Sequence, residues 1–149
     1  MKPLPLAALL FVAAISATAQ AQSSGPLDVA GNWKVGWTLP GSIPVRGYTP
    51  LLNFSQVSFS QAGQSLKVSG KVGCNFINGP VTLNGDQLSF GVLVSTRVAC
   101  SVAVGQQETT LIKALSGQTL TAVRVADSLT LTTKGGSELN IRRSTLQGK

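Results

Sequence analysis

The feature that most constrains the fold is a short-range alternation of apolar and polar side chains, interrupted by Gly, Asn and Pro. In residues 66–72, one face of an extended chain would carry Leu66, Val68, Gly70 and Val72. The other face would carry Lys67, Ser69 and Lys71. A period of two is typical of a half-buried β-strand. Residues 31–37 repeat the pattern, with Trp33, Val35 and Trp37 on one face. We therefore expect a core built from strands.

Further strands are predicted along the chain, at residues 53–60, 81–83, 88–90, 98–104, 120–125, 128–133 and 137–142. Residues 62–64 should turn the second strand into the third. Asn84-Gly85-Asp86 is the most specific turn, because Asn-Gly tolerates the positive φ of a tight hairpin. Loops are expected at the proline-rich residues 39–50 and at Asn78-Gly79-Pro80, where the chain should leave the sheet.

Residues 106–116 depart from this pattern and predict a short helix. Leu111, Ile112 and Leu115 fall on one helical face. Glu108 in the first turn and Lys113 near the end complement the helix dipole. A flat sheet would leave its edge strands exposed to other chains. The predicted fold is therefore mainly β (α+β): a curled antiparallel sheet or partly open small β-barrel, with one short helix near 106–116.

The first 21 residues have the pattern of a secretory signal peptide. A lysine at position 2 precedes an apolar run at residues 6–15, which is too short to span a bilayer. Ala19-Gln20-Ala21 has the form of a cleavage site, and Ala17-Thr18-Ala19 offers a second one. No cysteine lies nearby to accept a lipid. We expect a signal peptide at 1–21, a flexible leader at 22–28, one domain at 29–143, a C-terminal tail at 144–149, and a periplasmic or secreted protein without a transmembrane segment.

The charge balance indicates what the protein is drawn to. The chain has 12 Lys and Arg against 5 Asp and Glu, a net charge of +7, and loss of Lys2 with the signal peptide would leave +6. A basic exported protein is attracted to anionic envelope material such as lipopolysaccharide, phospholipid head groups or acidic polysaccharide. The alternative is a scattered solubilising surface. The basic residues do not form runs interleaved with aromatic residues, so the sequence gives no support for nucleic-acid binding.

The residue inventory does not favour catalysis. The chain has no His, which removes the commonest general base and most zinc sites. The carboxylates are Asp28, Asp86, Glu108, Asp127 and Glu138, and their spacing does not indicate an acid/base pair. The glycines lie at turns and do not form a phosphate-binding loop. We therefore expect neither a catalytic residue nor a cofactor or metal.

Cys74 and Cys100 are the chain's cysteines. They lack the C-x-x-C spacing of redox proteins, and two thiols without His complete a zinc site only with help from carboxylates. In an oxidising compartment such a pair usually forms a disulfide. The alternative is two buried free thiols that act as small apolar side chains. We expect a disulfide.

The chain resembles a known family through an ordered set of short motifs: Gly73-Cys74-Asn75, Gly79, Gly85-Asp86-Gln87-Leu88 and Ser95-Thr96-Arg97-Val98-Ala99-Cys100. These motifs are similar to those of the META domain family, whose best-known bacterial members are the heat-inducible HslJ-type envelope proteins. The resemblance covers roughly residues 29–143. Val98 stands where Met is usual, and the lipidation cysteine of many relatives is absent. The resemblance implies a small β-rich domain in the cell envelope, with links to heat response and novobiocin resistance, and no catalytic residue.

Five polar or aromatic residues are candidates for facing a ligand, since small barrels bind at their mouths. They are Asn75, Thr96, Arg97, Trp33 and Trp37. Their alternative roles are structural: Asn75 and Thr96 in bonding turn backbone, and Arg97 in pairing with Glu108 or facing water. The expected function is a non-catalytic envelope protein that supports stress tolerance by binding an envelope component or partner. The alternative is a secreted inhibitor of a hydrolase such as a protease or lysozyme.

Overall fold

The computed structural model describes residues 27–36, 48–60 and 63–145, and the side chains in these ranges except at 56–60. Within them the strands are β1 (Gly31–Gly36), β2 (Leu51–Ser60), β3 (Gly63–Lys71), β4 (Phe76–Asn84), β5 (Gln87–Phe90), β6 (Val94–Ser95), β7 (Thr119–Val125), β8 (Ser128–Thr132) and β9 (Glu138–Arg143). Helix α1 (Val102–Leu115) joins β6 to β7. The predicted signal peptide, most of the predicted leader, Trp37, most of the loop predicted at 39–50 and the last four residues lie outside the described residues.

Eight of the strands form a closed antiparallel barrel. Their order is β3-β2-β1-β9-β8-β7-β5-β4, and pairing between β3 and β4 closes the ring. The short β6 adds to β4 through Ile77 and Asn78. The expected mainly β fold with one helix is confirmed. The barrel closes fully where a partly open barrel was also expected, because the long β3 and β4 pair from Gln64–Leu83 to Lys71–Phe76.

The barrel interior is filled by the apolar residues that alternate along each strand. Leu66 and Val68 of β3 are buried, whereas Lys67 between them is exposed. Phe54 of β2 and Phe90 of β5 meet across the interior, with ring centroids 6.1 Å apart. Burying one side chain of this size contributes roughly 1.5–3 kcal/mol. The alternation predicted from the sequence thus defines the core.

The β4–β5 hairpin confirms one predicted turn, and β4 itself corrects another. Asn84 pairs with Gln87, and Gly85 has a φ of 60°. Asn78-Gly79-Pro80 does not break the chain, in contrast to the expectation, because β4 runs through it. Pro80 lies where β4 changes its partner from β6 to β5, so the missing N–H falls at an interruption of the ladder. Its carbonyl still accepts from the Gly91 N–H at 2.9 Å.

Helix α1 begins earlier than predicted and replaces the second half of an expected strand. The predicted strand at residues 98–104 is wrong: residues 98–101 are irregular and the helix starts at Val102. The Gly105 N–H donates to the Ser101 carbonyl at the start of the helix. The alternating valines that suggested a strand are solvent-exposed, with Val98 at 59% and Val102 at 77%. No helix in the described part of the chain is long and apolar enough to cross a bilayer.

The two ends of the barrel are closed differently. Leu111 and Leu115 of α1 are fully buried and cover the end from which β7 starts. At the opposite end, Arg124 and Arg143 both form ion pairs with Asp28, at 3.2 and 3.1 Å. The barrel therefore has a helix end, which holds the motif residues 73–75 and 95–100, and an opposite end, which holds the ion pairs of Asp28 and the β4–β5 turn at Gly85.

Candidate functional site

Asn75 is the centre of a polar cluster at the helix end of the barrel. It lies between β3 and β4 and is 4% exposed. Its amide Oδ1 accepts from the Val98 N–H at 2.7 Å and from Thr96 Oγ1 at 2.9 Å. Its Nδ2 donates toward the Val98 carbonyl at 3.1 Å. The side chain thus satisfies both backbone groups of Val98, so this residue needs no neighbouring strand.

Glu108 of α1 completes this cluster. Both of its carboxylate oxygens lie 3.0 Å from Asn75 Nδ2. The helix can approach because residue 73 is glycine: a Cβ there would lie 2.5 Å from Glu108 Oε2, and the φ of 130° disfavours other residues. Asn75, Thr96 and Glu108 are therefore brought together from three separate segments of the chain. Glu108 accepts from Asn75, and of the two alternatives given for Arg97, pairing with Glu108 or facing water, its exposed position fits the second.

The disulfide between Cys74 and Cys100 fixes the same region. The two Cα atoms are 5.9 Å apart, and the bridge closes a 26-residue separation that contains β4, β5 and β6. The predicted disulfide is confirmed. Glu108 lies beside it, so one ligand atom each from Cys74, Cys100 and Glu108 fall within 4.8 Å of one another. Metal ligation requires thiolates, and both sulfurs are committed to the bridge.

A shallow pocket of about 490 Å³ opens next to the cluster. Thr96 and Arg97 lie on its rim and are exposed, whereas Asn75 and Glu108 form part of its wall. Thr96 also accepts from the Phe76 N–H at 3.0 Å, so its hydroxyl is held in place by the sheet. Of the five candidate residues, the structure brings Asn75, Thr96 and Arg97 together beside this pocket. Arg97 offers the pocket a cation, and Asn75 is committed to structural bonds.

Trp33 does not face the surface, in contrast to the expectation that it contacts a ligand. Its ring is fully buried, and its Nε1 donates to the Val29 carbonyl at 2.8 Å. The Arg143 guanidinium stacks 4.9 Å from the ring centroid, on the side where Asp28 forms its ion pairs. Trp33 is inside the barrel because it shares the inward face of β1 with Val35. Trp37 lies outside the described residues.

Tyr48 ties the loop before β2 to this site, which the sequence did not reveal. Its hydroxyl donates to the Gly73 carbonyl and accepts from the Gly73 N–H. Burial raises the pKa of the Tyr48 hydroxyl, the bond to the Gly73 backbone lowers it in part, and the charge of Glu108 raises it further. The net pKa is above the usual value, so the folded protein favours the neutral phenol.

Replacing Tyr48 by phenylalanine is expected to reduce the free energy of unfolding by about 1–2 kcal/mol near pH 8, because two backbone groups of Gly73 lose their partner. A phenol whose pKa is raised on folding stabilises the protein below the unfolded-state pKa of about 10, and this contribution is lost as the pH rises further. The difference between wild type and Tyr48→Phe should therefore shrink between about pH 9 and 11. Urea unfolding at each pH measures it, and a difference that grows with pH would contradict the assignment.

A second feature missed from the sequence is the outer face of β1–β4, which we call the β1–β4 face. The register aligns four polar residues on neighbouring strands: Asn32, Asn53, Ser69 and Asn78. The next row contains Lys34, Leu51, Lys71 and Phe76. A groove of about 500 Å³ is lined by residues of both rows. The sequence did contain one indication of a basic surface here, because residues 29–85 contain no Asp or Glu.

The side-chain amide of Gln107 is a buried polar group that the sequence did not predict. Gln107 of α1 is 2% exposed and shares the inward helix face with Leu111. Neither polar atom of its amide has a hydrogen-bond partner among the described residues. An unsatisfied buried amide costs roughly 1–3 kcal/mol, so Gln107 does not contribute to stability by its polarity.

Comparisons with known proteins agree with this architecture. An NMR structure of a protein from Burkholderia xenovorans is 28% identical over 78% of this chain and 83% of its own, with a TM-score of 0.59. A second NMR structure is 19% identical over 79% of this chain and 92% of its own, with a TM-score of 0.55, and shows the fold alone. No match was found among curated proteins. The family model described as META domain matches residues 28–145, which include every described strand and the helix, and the chain therefore belongs to the META domain family.

Proposed function

We propose that the chain is a non-catalytic protein of the bacterial cell envelope that supports stress tolerance by binding an anionic envelope component. The observation that carries this proposal is the segregation of charge. All five carboxylates lie outside residues 29–85, whereas Lys34, Lys67 and Lys71 lie in the first three strands and are exposed. A surface with cations and no carboxylates attracts anions and is not internally neutralised.

Export is supported by the signal-like residues 1–21 and by the disulfide between Cys74 and Cys100. Structural disulfides persist in oxidising compartments such as the periplasm and are rare in the cytosol. The proposed role in heat or antibiotic tolerance rests on the META family resemblance. The absence of His from the chain supports a binding role over catalysis.

The proposal predicts that an anionic envelope ligand raises the thermal midpoint of the purified protein. A ligand that binds only the folded state stabilises it by about 2.7 kcal/mol at a concentration of roughly 100 times its Kd. The panel contains lipopolysaccharide, phosphatidylglycerol vesicles, an acidic polysaccharide, peptidoglycan fragments and novobiocin, with phosphatidylcholine vesicles as the neutral control. The rise should weaken from about 0.1 M to 1 M salt, as the Debye length falls from about 10 Å to 3 Å. No shift with any anionic ligand would contradict the proposal.

An exposed apolar segment favours a second candidate, a secreted inhibitor of a hydrolase. Val92, Val94 and Val98 are 76%, 56% and 59% exposed, and they precede the exposed Val102. Apolar side chains exposed together often mark a protein-binding surface. A basic lysozyme would be repelled by this basic domain, so a protease is the better target. Inhibition of a protease that is lost in Val98→Ser, without a shift by any anionic ligand, would favour the inhibitor.

A further inference from the structure

The polar row on the β1–β4 face presents amides and a hydroxyl in one line. Its four side chains come from adjacent strands, so the row extends over roughly 14 Å at the usual strand spacing. Asn53 Nδ2 donates to Asn32 Oδ1 at 2.8 Å, and Ser55 Oγ donates to Asn53 Oδ1 at 2.8 Å. These bonds orient two of the amides before any ligand arrives, which lowers the entropic cost of binding. Amides, which both donate and accept, match the hydroxyl groups of sugars.

Phe76 provides an apolar platform at the end of the neighbouring row. Its ring is 57% exposed, although Phe is normally buried. Lys71 Nζ lies 5.9 Å from the ring centroid, so a cation stands beside the aromatic surface. A sugar ring offers an apolar C–H face for stacking and polar groups at its edge. An exposed aromatic ring next to amides suits both parts of that ligand.

The lysines of this face lie far apart, and their spacing indicates which kind of anionic ligand the face would bind. Lys34 and Lys71 are aligned with one strand between them, about 10 Å apart at the usual strand spacing. Lys67 and Lys71 are four residues apart on β3, which corresponds to about 13 Å. A phosphate group concentrates its charge and favours several converging cations, most often arginine. Single lysines at wide intervals match a polymer with one charge on each repeating unit.

We propose that the β1–β4 face binds a linear acidic polysaccharide, with a sugar ring stacked on Phe76, hydroxyl groups on the polar row and carboxylates paired with Lys67 and Lys71. This inference rests on the proposed function and specifies its ligand and its surface. The absence of carboxylates from residues 29–85 means that no acidic side chain of these strands repels the ligand.

The test measures binding of sodium oligogalacturonate to the protein by calorimetry. Fully methyl-esterified oligogalacturonate is the neutral ligand control, and phosphatidylglycerol vesicles and inositol hexakisphosphate are the other anions. Lys67→Gln/Lys71→Gln should weaken oligogalacturonate binding about tenfold by removing two exposed ion pairs. Phe76→Ala should weaken binding by a similar factor. Asn78→Ala should also weaken it and tests the polar row, at an exposed position where the substitution should leave the fold intact. Lys113→Gln/Lys134→Gln, with the same change of charge on the helix and the β8–β9 turn, should leave binding within about twofold.

The expected result is binding of the acidic oligosaccharide that the β1–β4 variants weaken and the control variant does not. Oligogalacturonate binding that is equal in all variants would overturn the assigned surface. Binding of phosphatidylglycerol vesicles without binding of oligogalacturonate would overturn the inference and leave the proposed function standing, whereas binding of inositol hexakisphosphate alone would overturn the inference and show a preference for concentrated phosphate charge. If none of the panel used for the proposed function, nor these anions, binds, both fail.

Discussion

Replacing Cys74 and Cys100 together by alanine is expected to lower the free energy of unfolding by about 3.5 kcal/mol. The bridge spans a sequence separation of 26 residues, and loop-closure entropy assigns that loss to freeing the unfolded chain. For a domain of this size the thermal midpoint should fall by about 10 °C or more. Urea unfolding monitored by tryptophan fluorescence measures the effect, because Trp33, one of the two tryptophans, is fully buried in the folded state and becomes exposed on unfolding.

Reduction of the wild-type protein by a dithiol provides the control for this prediction. It breaks the same bond without changing the packing of the side chains, so its loss should match that of the double variant. The double variant itself should be insensitive to the reductant. A wild-type midpoint that stays the same after complete reduction, verified by thiol titration, would show that the bridge does not stabilise the barrel.

Asn75→Ala is expected to cost about 3 kcal/mol, because its amide satisfies groups from two other segments. The substitution removes the donor to Glu108 and both bonds to the Val98 backbone. Each polar group left unpaired in a buried site costs roughly 1–3 kcal/mol. Asn78→Ala is the matched control, since Asn78 has the same side chain on the exposed face of β4. Its effect should stay within about 0.5 kcal/mol.

Asn75→Asp removes the hydrogen-bond donor of the amide while keeping the shape of the side chain, so it tests the two contributions separately. The introduced carboxylate is nearly isosteric with the amide and faces the Glu108 carboxylate, 3.0 Å from the position of Nδ2. Two like charges at this distance disfavour the folded state at neutral pH. Lowering the pH toward 4 protonates one of the pair and should recover part of the stability relative to wild type. Asn75→Ala should show no such recovery, and equal pH profiles of the two variants would contradict the geometry.

The strands were largely predictable, because their burial follows a local pattern. The alternation at residues 66–72 matches buried Leu66 and Val68, and Asn84-Gly85 forms the predicted hairpin. The strand predicted at residues 98–104 failed although its alternation is as regular. There, Asn75 bonds the Val98 backbone from 23 residues away, and the valines remain exposed. A local sequence pattern does not show that a side chain far along the chain will bond this backbone in place of a neighbouring strand.

The candidate site was also predictable only in part. The motif residues Asn75, Thr96 and Arg97 do lie together beside one pocket, as their nearness to the cysteines suggested. Glu108 joined them only through the packing of α1, 33 residues along the chain from Asn75. Trp33 was a candidate by residue type alone, and its place on the inward face of β1 buried it.

The sequence by itself determined the secondary structure of most of the barrel, the pairing of Cys74 with Cys100 and the basic charge, because periodicity, residue inventory and charge are local or additive properties. Tertiary structure alone decided the closure of the ring through β3 and β4, the joining of Asn75 to Glu108, and the alignment of Asn32, Asn53, Ser69 and Asn78. These depend on strand register and helix docking. A shift of one residue in register would send every side chain of a strand to the opposite face, so the polar row of the β1–β4 face exists only once these four strands have paired in register.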